Sequence, residues 1–239
     1  MVASQRAAAP TVSGPKEAGA AGRRLLLVAG GILVTWGAHN ALLLPWEVRH
    51  IDAGIREAAL VVLRAVVWMV PVVLYLDRYD PRPRLVALGV TSAIHRRGLA
   101  WSALVGAIYL SLVGMLVTGT APQSNRPDLF ATLAQVSVLC SLLASVLEEL
   151  LMRGFLLGQL MRFTTSLRAQ AFVAILFGLM HLPGWIALEG VSIDLVPSTL
   201  MIMVLGAVLG GIACASRSIL PAIFLHCANN FLGEWLGGR

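Results

Sequence analysis

The sequence consists largely of apolar runs that each approach 20 residues, and this feature constrains the fold more than any other. A helix of about 20 apolar residues spans the hydrocarbon core of a bilayer. Of the 239 residues, 58% are hydrophobic and only 13% are charged, whereas globular proteins have roughly 25% charged residues. The chain is therefore predicted to be an all-α integral membrane protein, a polytopic transmembrane helical bundle.

The positions of the apolar runs predict seven spans, with eight as the alternative. The predicted spans cover residues 25–44, 58–76, 99–117, 129–152, 169–187, 196–213 and 219–235. A basic, amphipathic segment at 77–97 is predicted to lie on the inner leaflet. Residues 1–24 are rich in Ala, Gly, Ser and Pro and are predicted to form a disordered, basic cytoplasmic tail. Residues 25–237 are predicted to form a single transmembrane domain.

Basic residues lie mainly on one side of these spans. Of the 18 Lys and Arg residues, 13 fall in the tail or in segments that follow even-numbered spans, 4 lie on the opposite side, and Arg64 lies inside the second span. Because cytoplasmic loops are enriched in Lys and Arg, the N-terminus is predicted to be cytoplasmic. The net charge of +6 is then explained by basic residues in the loops between spans, and not by binding to nucleic acid. Membrane lipids are therefore the expected partners, and nucleic acid is not. The Ala- and Arg-rich composition favours a bacterial inner (plasma) membrane. For Arg64, snorkelling to the surface and internal pairing both stay open.

Two adjacent carboxylates, Glu148 and Glu149, lie near the end of the fourth apolar run. An ionised carboxylate at the centre of a membrane helix costs on the order of 3 kcal/mol, so such a residue indicates function. Glu149 and Arg153 are four residues apart and share a helix face, whereas Glu148 points about 100° away from Glu149. One carboxylate can then pair with Arg153 while the other is available for chemistry. The alternative is that all three mark the water edge of a span, with a surface ion pair of little value.

Two other apolar runs carry polar residues at helical spacing. The fifth run contains Phe177-Gly-Leu-Met-His181, and the seventh contains His226-Cys-Ala-Asn-Asn230. Together with Glu148-Glu149-Leu-Leu-Met-Arg153, they resemble the three signature motifs of the CPBP family, the CAAX proteases and bacteriocin-processing intramembrane proteases. All motif positions are matched, in order, on successive apolar helices. The resemblance covers about residues 140–232, within a predicted family-like catalytic core at 129–235.

The resemblance implies an intramembrane endopeptidase that hydrolyses a peptide bond near the terminus of a membrane-associated protein or peptide. It implies that Glu148 and His181 activate a water and that His226 and Asn230 stabilise the oxyanion. His226 and Asn230 are four residues apart, so both side chains can point at one spot, as paired oxyanion donors must. Supporting roles fall to Glu149, Arg153 and Phe177, with Glu149 and Arg153 as a structural ion pair.

The cofactor prediction is that none is needed. The family has also been labelled metalloendopeptidase, and Glu148, His181 and His226 form an alternative zinc set. The sequence, however, lacks a His-Glu-x-x-His pattern with two histidines on one helix face. A water activated by glutamate without metal is therefore the preferred mechanism.

Two other functional classes are weighed against the peptidase. A proton-coupled transporter could use the same buried Glu and His residues, but the chain shows no repeat between its halves, which such transporters often have. A non-catalytic immunity or scaffold membrane protein could keep the family fold, but intact motifs argue against it. Family substrates include prenylated CAAX tails, bacteriocin precursors and C-terminal sorting helices, and a bacterial chain makes a prenylated tail the less favoured of these.

Overall fold

The structure is a computed structural model that describes residues 15–90, 94–120 and 128–237. Within these ranges the chain forms helices joined by short turns, without strands, which confirms the predicted all-α fold. The α-helices are α1 Pro15–Leu42, α2 Leu44–His50, α3 Ala53–Arg64, α4 Val70–Tyr79, α5 Arg84–Ala87, α6 Arg96–Thr120, α7 Leu129–Leu133, α8 Val136–Glu149, α9 Gly158–Leu160, α10 Ser166–Leu179, α11 Leu182–Glu189, α12 Leu195–Ser216 and α13 Leu220–Gly237. The π-helical segments Ala65–Met69 and Leu150–Leu157 join α3 to α4 and α8 to α9.

Five helical segments are long and apolar enough to cross a membrane: Gly19–Leu42, Ala53–Tyr79, Arg96–Leu116, Ser166–Glu189 and Leu195–Ser216. They coincide with five of the predicted spans, and together they make the chain an integral membrane protein. The fourth and seventh predicted spans correspond to α8 with its π-helical continuation and to α13. These two helices carry the polar motif residues, which lower their apolar character. The count of seven spans therefore stays a prediction.

The structure corrects one predicted boundary on the basic side of the bundle. Helix α1 begins at Pro15 instead of Leu25, while residues 1–14 of the predicted tail lie outside the described residues. The described part of the segment at 77–97, whose position on the inner leaflet stays a prediction, includes the short helix α5 and a turn at Gly89, whose φ of 71° favours glycine. The carbonyl of Gly89 accepts hydrogen bonds from Ile219 N and Ser218 Oγ, each at 3.2 Å. This segment is thus held against the turn between α12 and α13.

The fifth predicted span is broken close to its motif histidine. Helix α10 ends at Leu179, and His181 is the residue that precedes α11. Pro183 lies in the first turn of α11, where its missing N–H removes no intrahelical hydrogen bond. The break therefore places His181 at the junction between two helices, and not within one continuous helix.

Close contact between α10 and α12 depends on Gly206. A Cβ at Gly206 would lie 3.1 Å from Ala174 Cα and 3.3 Å from the Phe177 ring, closer than ordinary contact allows. A Cβ at Gly210 would lie 3.6 Å from the Gln170 side chain, which is ordinary van der Waals contact. The missing Cβ of Gly206 therefore lets the two backbones approach, which is the usual role of small residues in membrane helix packing. The contact positions Phe177 for the site described below.

A buried carboxylate ties the end of α4 to α9. Asp80 accepts hydrogen bonds from the Arg82 guanidinium at 2.9 and 2.7 Å and from Gln159 Nε2 at 3.0 Å. Arg162 Nη1 lies 3.7 Å from the same carboxylate. Burial alone would raise the pKa of Asp80, but the hydrogen bonds from Arg82 and Gln159 outweigh it and lower the pKa to about 2. The ionised carboxylate therefore stabilises this end of the bundle.

Candidate active site

Three parts of the bundle bring the predicted site residues into one connected cluster. Helix α8 and its π-helical continuation carry Glu148, Glu149 and Arg153, the α10–α11 junction carries Phe177 and His181, and α13 carries His226 and Asn230. The cluster is enclosed by protein: Glu148 is 7% exposed, Glu149 is fully buried and His226 is 2% exposed.

Glu149 is occupied by two partners. Its Oε1 accepts a hydrogen bond from Arg153 Nη1 at 2.7 Å and another from His226 Nδ1 at 2.9 Å. The ion pair predicted within the helix is present, and both of its side chains are fully buried. The water-edge interpretation of this pair is therefore wrong. The contact with His226 comes from a helix 77 residues away along the chain, so helical spacing within one segment could not reveal it.

Arg153 and Phe177 form the packed side of the cluster. Arg153 Nη2 donates to the carbonyl of Gly206 at 3.0 Å, and its guanidinium carbon lies 4.4 Å from the centroid of the Phe177 ring. The same ring makes edge contacts with His181 and His226, at centroid distances of 5.3 and 5.6 Å. Phe177 thus fixes the positions of both histidines and covers the arginine, which gives the motif phenylalanine a structural role.

Glu148 is the less engaged carboxylate. Its ion-pair contact is between Oε2 and His226 Nε2, at 3.8 Å, which is longer than a hydrogen bond. Within the described parts of the chain Glu148 makes no side-chain hydrogen bond. A carboxylate that is enclosed but not engaged by a close donor is available to a water molecule or a substrate.

The hydrogen bonds of the two histidines determine which ring nitrogens are available. His181 Nδ1 lies 2.7 Å from the carbonyl of Phe177, which can only accept, so Nδ1 carries the proton and Nε2 of the neutral ring has a lone pair. The ionised Glu149 likewise only accepts, so His226 Nδ1 donates to it. Glu148 and His226 both lie within electrostatic range of the His181 ring.

Asn230 lies within a directed chain of hydrogen bonds that the sequence did not reveal. Tyr109 Oη donates to Asn229 Oδ1 at 3.1 Å, Asn229 Nδ2 to Asn230 Oδ1 at 3.1 Å, and Asn230 Nδ2 to Ser145 Oγ at 2.8 Å. Ser145 in turn donates to the carbonyl of Ser141 at 2.9 Å. The signal available in the sequence was the polar neighbour Asn229 and the serine one turn before Glu149. The chain fixes the orientation of the Asn230 amide.

The alternative zinc set does not form a ligand group in this arrangement. Zinc sites in proteins use three or four N, O or S ligands that converge on one point. Across the described ranges, no group of three or more His, Cys, Asp or Glu side chains is placed to hold a metal ion. Within the described ranges, the side chains of Glu148, His181 and His226 therefore do not converge as a ligand set.

Arg64 lies beside this cluster, at the end of α3. Its guanidinium carbon is 4.8 Å from the Trp36 ring centroid and 5.8 Å from that of Trp68, which is fully buried. An arginine at the centre of a span costs about 2.5–3.5 kcal/mol on insertion scales, whereas a desolvated cation–π contact contributes about 2 kcal/mol. Internal pairing with aromatic rings is therefore how the structure accommodates Arg64, and the rings supply none of the hydrogen-bond acceptors that a guanidinium needs.

The fold and the cluster define a helical membrane protein with a buried site of two carboxylates, two histidines and an asparagine. Residues 130–232 match the family model described as type II CAAX prenyl endopeptidase Rce1-like. This match confirms the resemblance drawn from the three motifs and supports a CAAX-protease-like intramembrane endopeptidase, a peptide hydrolase. No curated protein and no solved structure matches the chain significantly.

Proposed function

We propose that this protein is an intramembrane endopeptidase in which Glu148 and His181 activate a water that hydrolyses a peptide bond near the terminus of a membrane-associated protein or peptide. The observation that carries the proposal is the unequal engagement of the two adjacent carboxylates. Glu149 is neutralised by Arg153 and His226, whereas Glu148 has only the 3.8 Å contact with His226.

The proton transfers follow from these positions. Glu148 accepts a proton from the water as its oxygen attacks the carbonyl carbon of the substrate, and the lone pair on His181 Nε2 holds the same water by accepting its second hydrogen. When the tetrahedral intermediate collapses, the C–N bond breaks and Glu148 returns the proton to the amine nitrogen. The products are a new carboxyl terminus and a free amine. A positioned acid–base group of this kind contributes about 10²–10⁴-fold to the rate.

The oxyanion would be stabilised by α13. Asn230 Nδ2 has two hydrogens, one of which is donated to Ser145, so the other is available to the substrate oxygen. His226 can donate from Nε2 only when both of its nitrogens carry a proton. Its Nε2 faces Glu148 Oε2 at 3.8 Å, while Nδ1 lies 2.9 Å from Glu149 Oε1.

The substrate proposed is the C-terminal region of a membrane-associated protein or peptide, presented from within the bilayer. The family description names prenyl CAAX substrates, and a prenylated tail is one class to test beside unmodified apolar tails. The proposed location is the bacterial inner membrane with a cytoplasmic N-terminus, because most basic residues lie on that side.

The test is hydrolysis by the purified full-length chain in nanodiscs. Prenylated and unmodified C-terminal peptides are incubated in water enriched in ¹⁸O, and the products are analysed by mass spectrometry. Hydrolysis by an activated water incorporates one ¹⁸O atom into the new carboxyl group at the cleavage site. Glu148→Gln should abolish this product.

Glu189→Gln is the matched control, since Glu189 is exposed at the end of α11 and should leave the rate unchanged. Cleavage that persists in Glu148→Gln would contradict the role of Glu148. An activity that requires an ion gradient across a sealed vesicle and is absent in nanodiscs would instead favour the proton-coupled transporter. If the peptides bind to the protein but no cleavage product forms, the scaffold or immunity protein would be favoured.

A further inference from the structure

We propose that Arg64 binds the C-terminal carboxylate of the peptide substrate and thereby sets which bond reaches Glu148. This inference rests on the proposed peptidase function and extends it to substrate recognition. Arg64 lies outside residues 130–232, so the family match does not cover it.

The first argument is the unused hydrogen-bonding capacity of Arg64. A guanidinium has five N–H donors and no acceptor. Within the described ranges Arg64 makes no hydrogen bond or ion pair, and its Nε is buried without a partner. Arg153, the other arginine beside the site, also has an unpartnered Nε, but its Nη1 donates to Glu149 and its Nη2 to the carbonyl of Gly206. Arg64 is therefore held in place by Trp36 and Trp68 while its donors are available to a ligand.

The second argument is the position of Arg64 next to the catalytic cluster. A Cβ added to Gly37, the neighbour of Trp36, would lie 3.6 Å from Pro183 Cγ, two residues beyond His181, and α1 packs against α11. Helix α3, which ends at Arg64, also packs against α8, which carries Glu148. Arg64 lies within electrostatic range of the His181 ring. The guanidinium is thus on the α1–α3 side of the site, within the reach of a short peptide tail.

The third argument is local backbone geometry. A π-helical segment begins directly after Arg64, at Ala65–Met69, just as one begins directly after Glu149, at Leu150–Leu157. Single-turn π segments inside membrane helices are common at functional sites because they redirect the side chains beside them. The segment at Leu150–Leu157 adjoins the catalytic carboxylates, and that at Ala65–Met69 adjoins the guanidinium.

A peptide carboxylate is the ligand that this chemistry fits best. The planar fork of an arginine pairs with a carboxylate through two parallel hydrogen bonds. An endopeptidase that cuts near a C-terminus in the membrane must hold the terminal charge where water is scarce, and a fixed cation provides that. An amide-ended peptide has the same shape without the charge, which makes it the direct probe.

Binding is measured by titrating fluorescent peptides of one sequence, ending in a carboxylate or in an amide, into the full-length Glu148→Gln protein in nanodiscs. This variant is used because it should bind without cleaving. The protein with Arg64 intact should bind the carboxylate form about 10–100-fold more tightly, the range expected for hydrogen bonds to a charged group. Adding Arg64→Gln should reduce this preference to less than threefold, and adding Arg64→Lys should retain part of it.

Adding Arg56→Gln serves as the matched control, because Arg56 lies on the same helix and is paired with Glu57 at 3.4 Å. It should leave the preference unchanged. Equal binding of the two peptides by the protein with Arg64 intact would overturn the proposal. A preference for the carboxylate form that survives Arg64→Gln would also overturn it. If the preference is present and depends on Arg64 but the wild-type protein cleaves neither peptide, the recognition site stands and the peptidase function fails.

Discussion

Replacing Glu149 by Gln should destabilise the protein far more than replacing Glu148 by Gln. Glu149 is fully buried and accepts hydrogen bonds from Arg153 and His226, so Gln at this position leaves the Arg153 cation without its counter-charge. Removing one partner of a buried ion pair costs about 3–5 kcal/mol. At about 2–4 °C per kcal/mol, this corresponds to a melting temperature roughly 6–20 °C lower.

Glu148→Gln should change stability by less than about 1 kcal/mol, because its one ion-pair contact is 3.8 Å long. The measurement is thermal unfolding of both variants, purified in the same detergent. The double variant Glu149→Gln/Arg153→Met removes both charges, so it should recover at least 2 kcal/mol relative to Glu149→Gln alone. The remaining deficit is about 1 kcal/mol for the lost hydrogen bond to Gly206. Equal melting temperatures for the two single variants, or no recovery in the double variant, would refute the division of roles.

Further predictions concern catalysis, acid stability, topology and metal. Asn230→Ala should lower kcat about 10²–10³-fold with KM little changed. Tyr109→Phe removes the first hydrogen bond of the chain that orients Asn230, and it should lower kcat by less than tenfold. Since the folded pKa of Asp80 is lowered to about 2, the stability that its ionised form provides is present above pH about 4 and is lost as the pH falls towards 2. Thermal unfolding should show this loss of stability at low pH, and the Asp80→Asn variant should lack this pH dependence. A reporter fused after residue 239 should face the non-cytoplasmic side and one inserted between Pro81 and Arg84 the cytoplasm, and finding both on one side would disprove a seven-span topology. Dialysis against a zinc chelator should leave activity unchanged, and a loss that added zinc restores would favour the metal mechanism.

Sequence reasoning predicted those parts of the fold that depend on local pattern. Apolar runs of about 20 residues locate five spans within a few residues, because burying such a run in lipid outweighs other preferences. The Glu149–Arg153 pair was also predictable, since a spacing of four residues places two side chains on one helix face. For the segment at 77–97, whose position on the inner leaflet stays a prediction, the pattern did not reveal that Ala87 and Leu88 are buried among the helices and not in lipid. A hydrophobic pattern does not distinguish these two apolar environments.

What the sequence could not provide is contact between helices that are distant along the chain. The Glu149–His226 hydrogen bond, the Tyr109–Asn229 hydrogen bond and the contact of Phe177 with His226 join segments separated by as many as 120 residues. The position of Arg64 between Trp36 and Trp68 depends in the same way on the packing of α1 against the π-helical segment after α3. A polar residue in an apolar run can be recognised from sequence, but its partner can be identified only when the fold is known.

The unequal roles of the two adjacent carboxylates follow from the geometry of a single helix turn. Adjacent residues point about 100° apart, so Glu148 and Glu149 meet His226 at different ring nitrogens and only Glu149 also pairs with Arg153. Glu149 faces Arg153 and His226, and its charge compensates the arginine in a fully buried place. Among the described residues, Glu148 reaches only His226 Nε2, at 3.8 Å. A cation at hydrogen-bond distance would hold its lone pairs and make it a poor base. The pair thus separates two requirements that one carboxylate could not meet together, because a group that stabilises the fold through strong hydrogen bonds is not free to accept a proton from water.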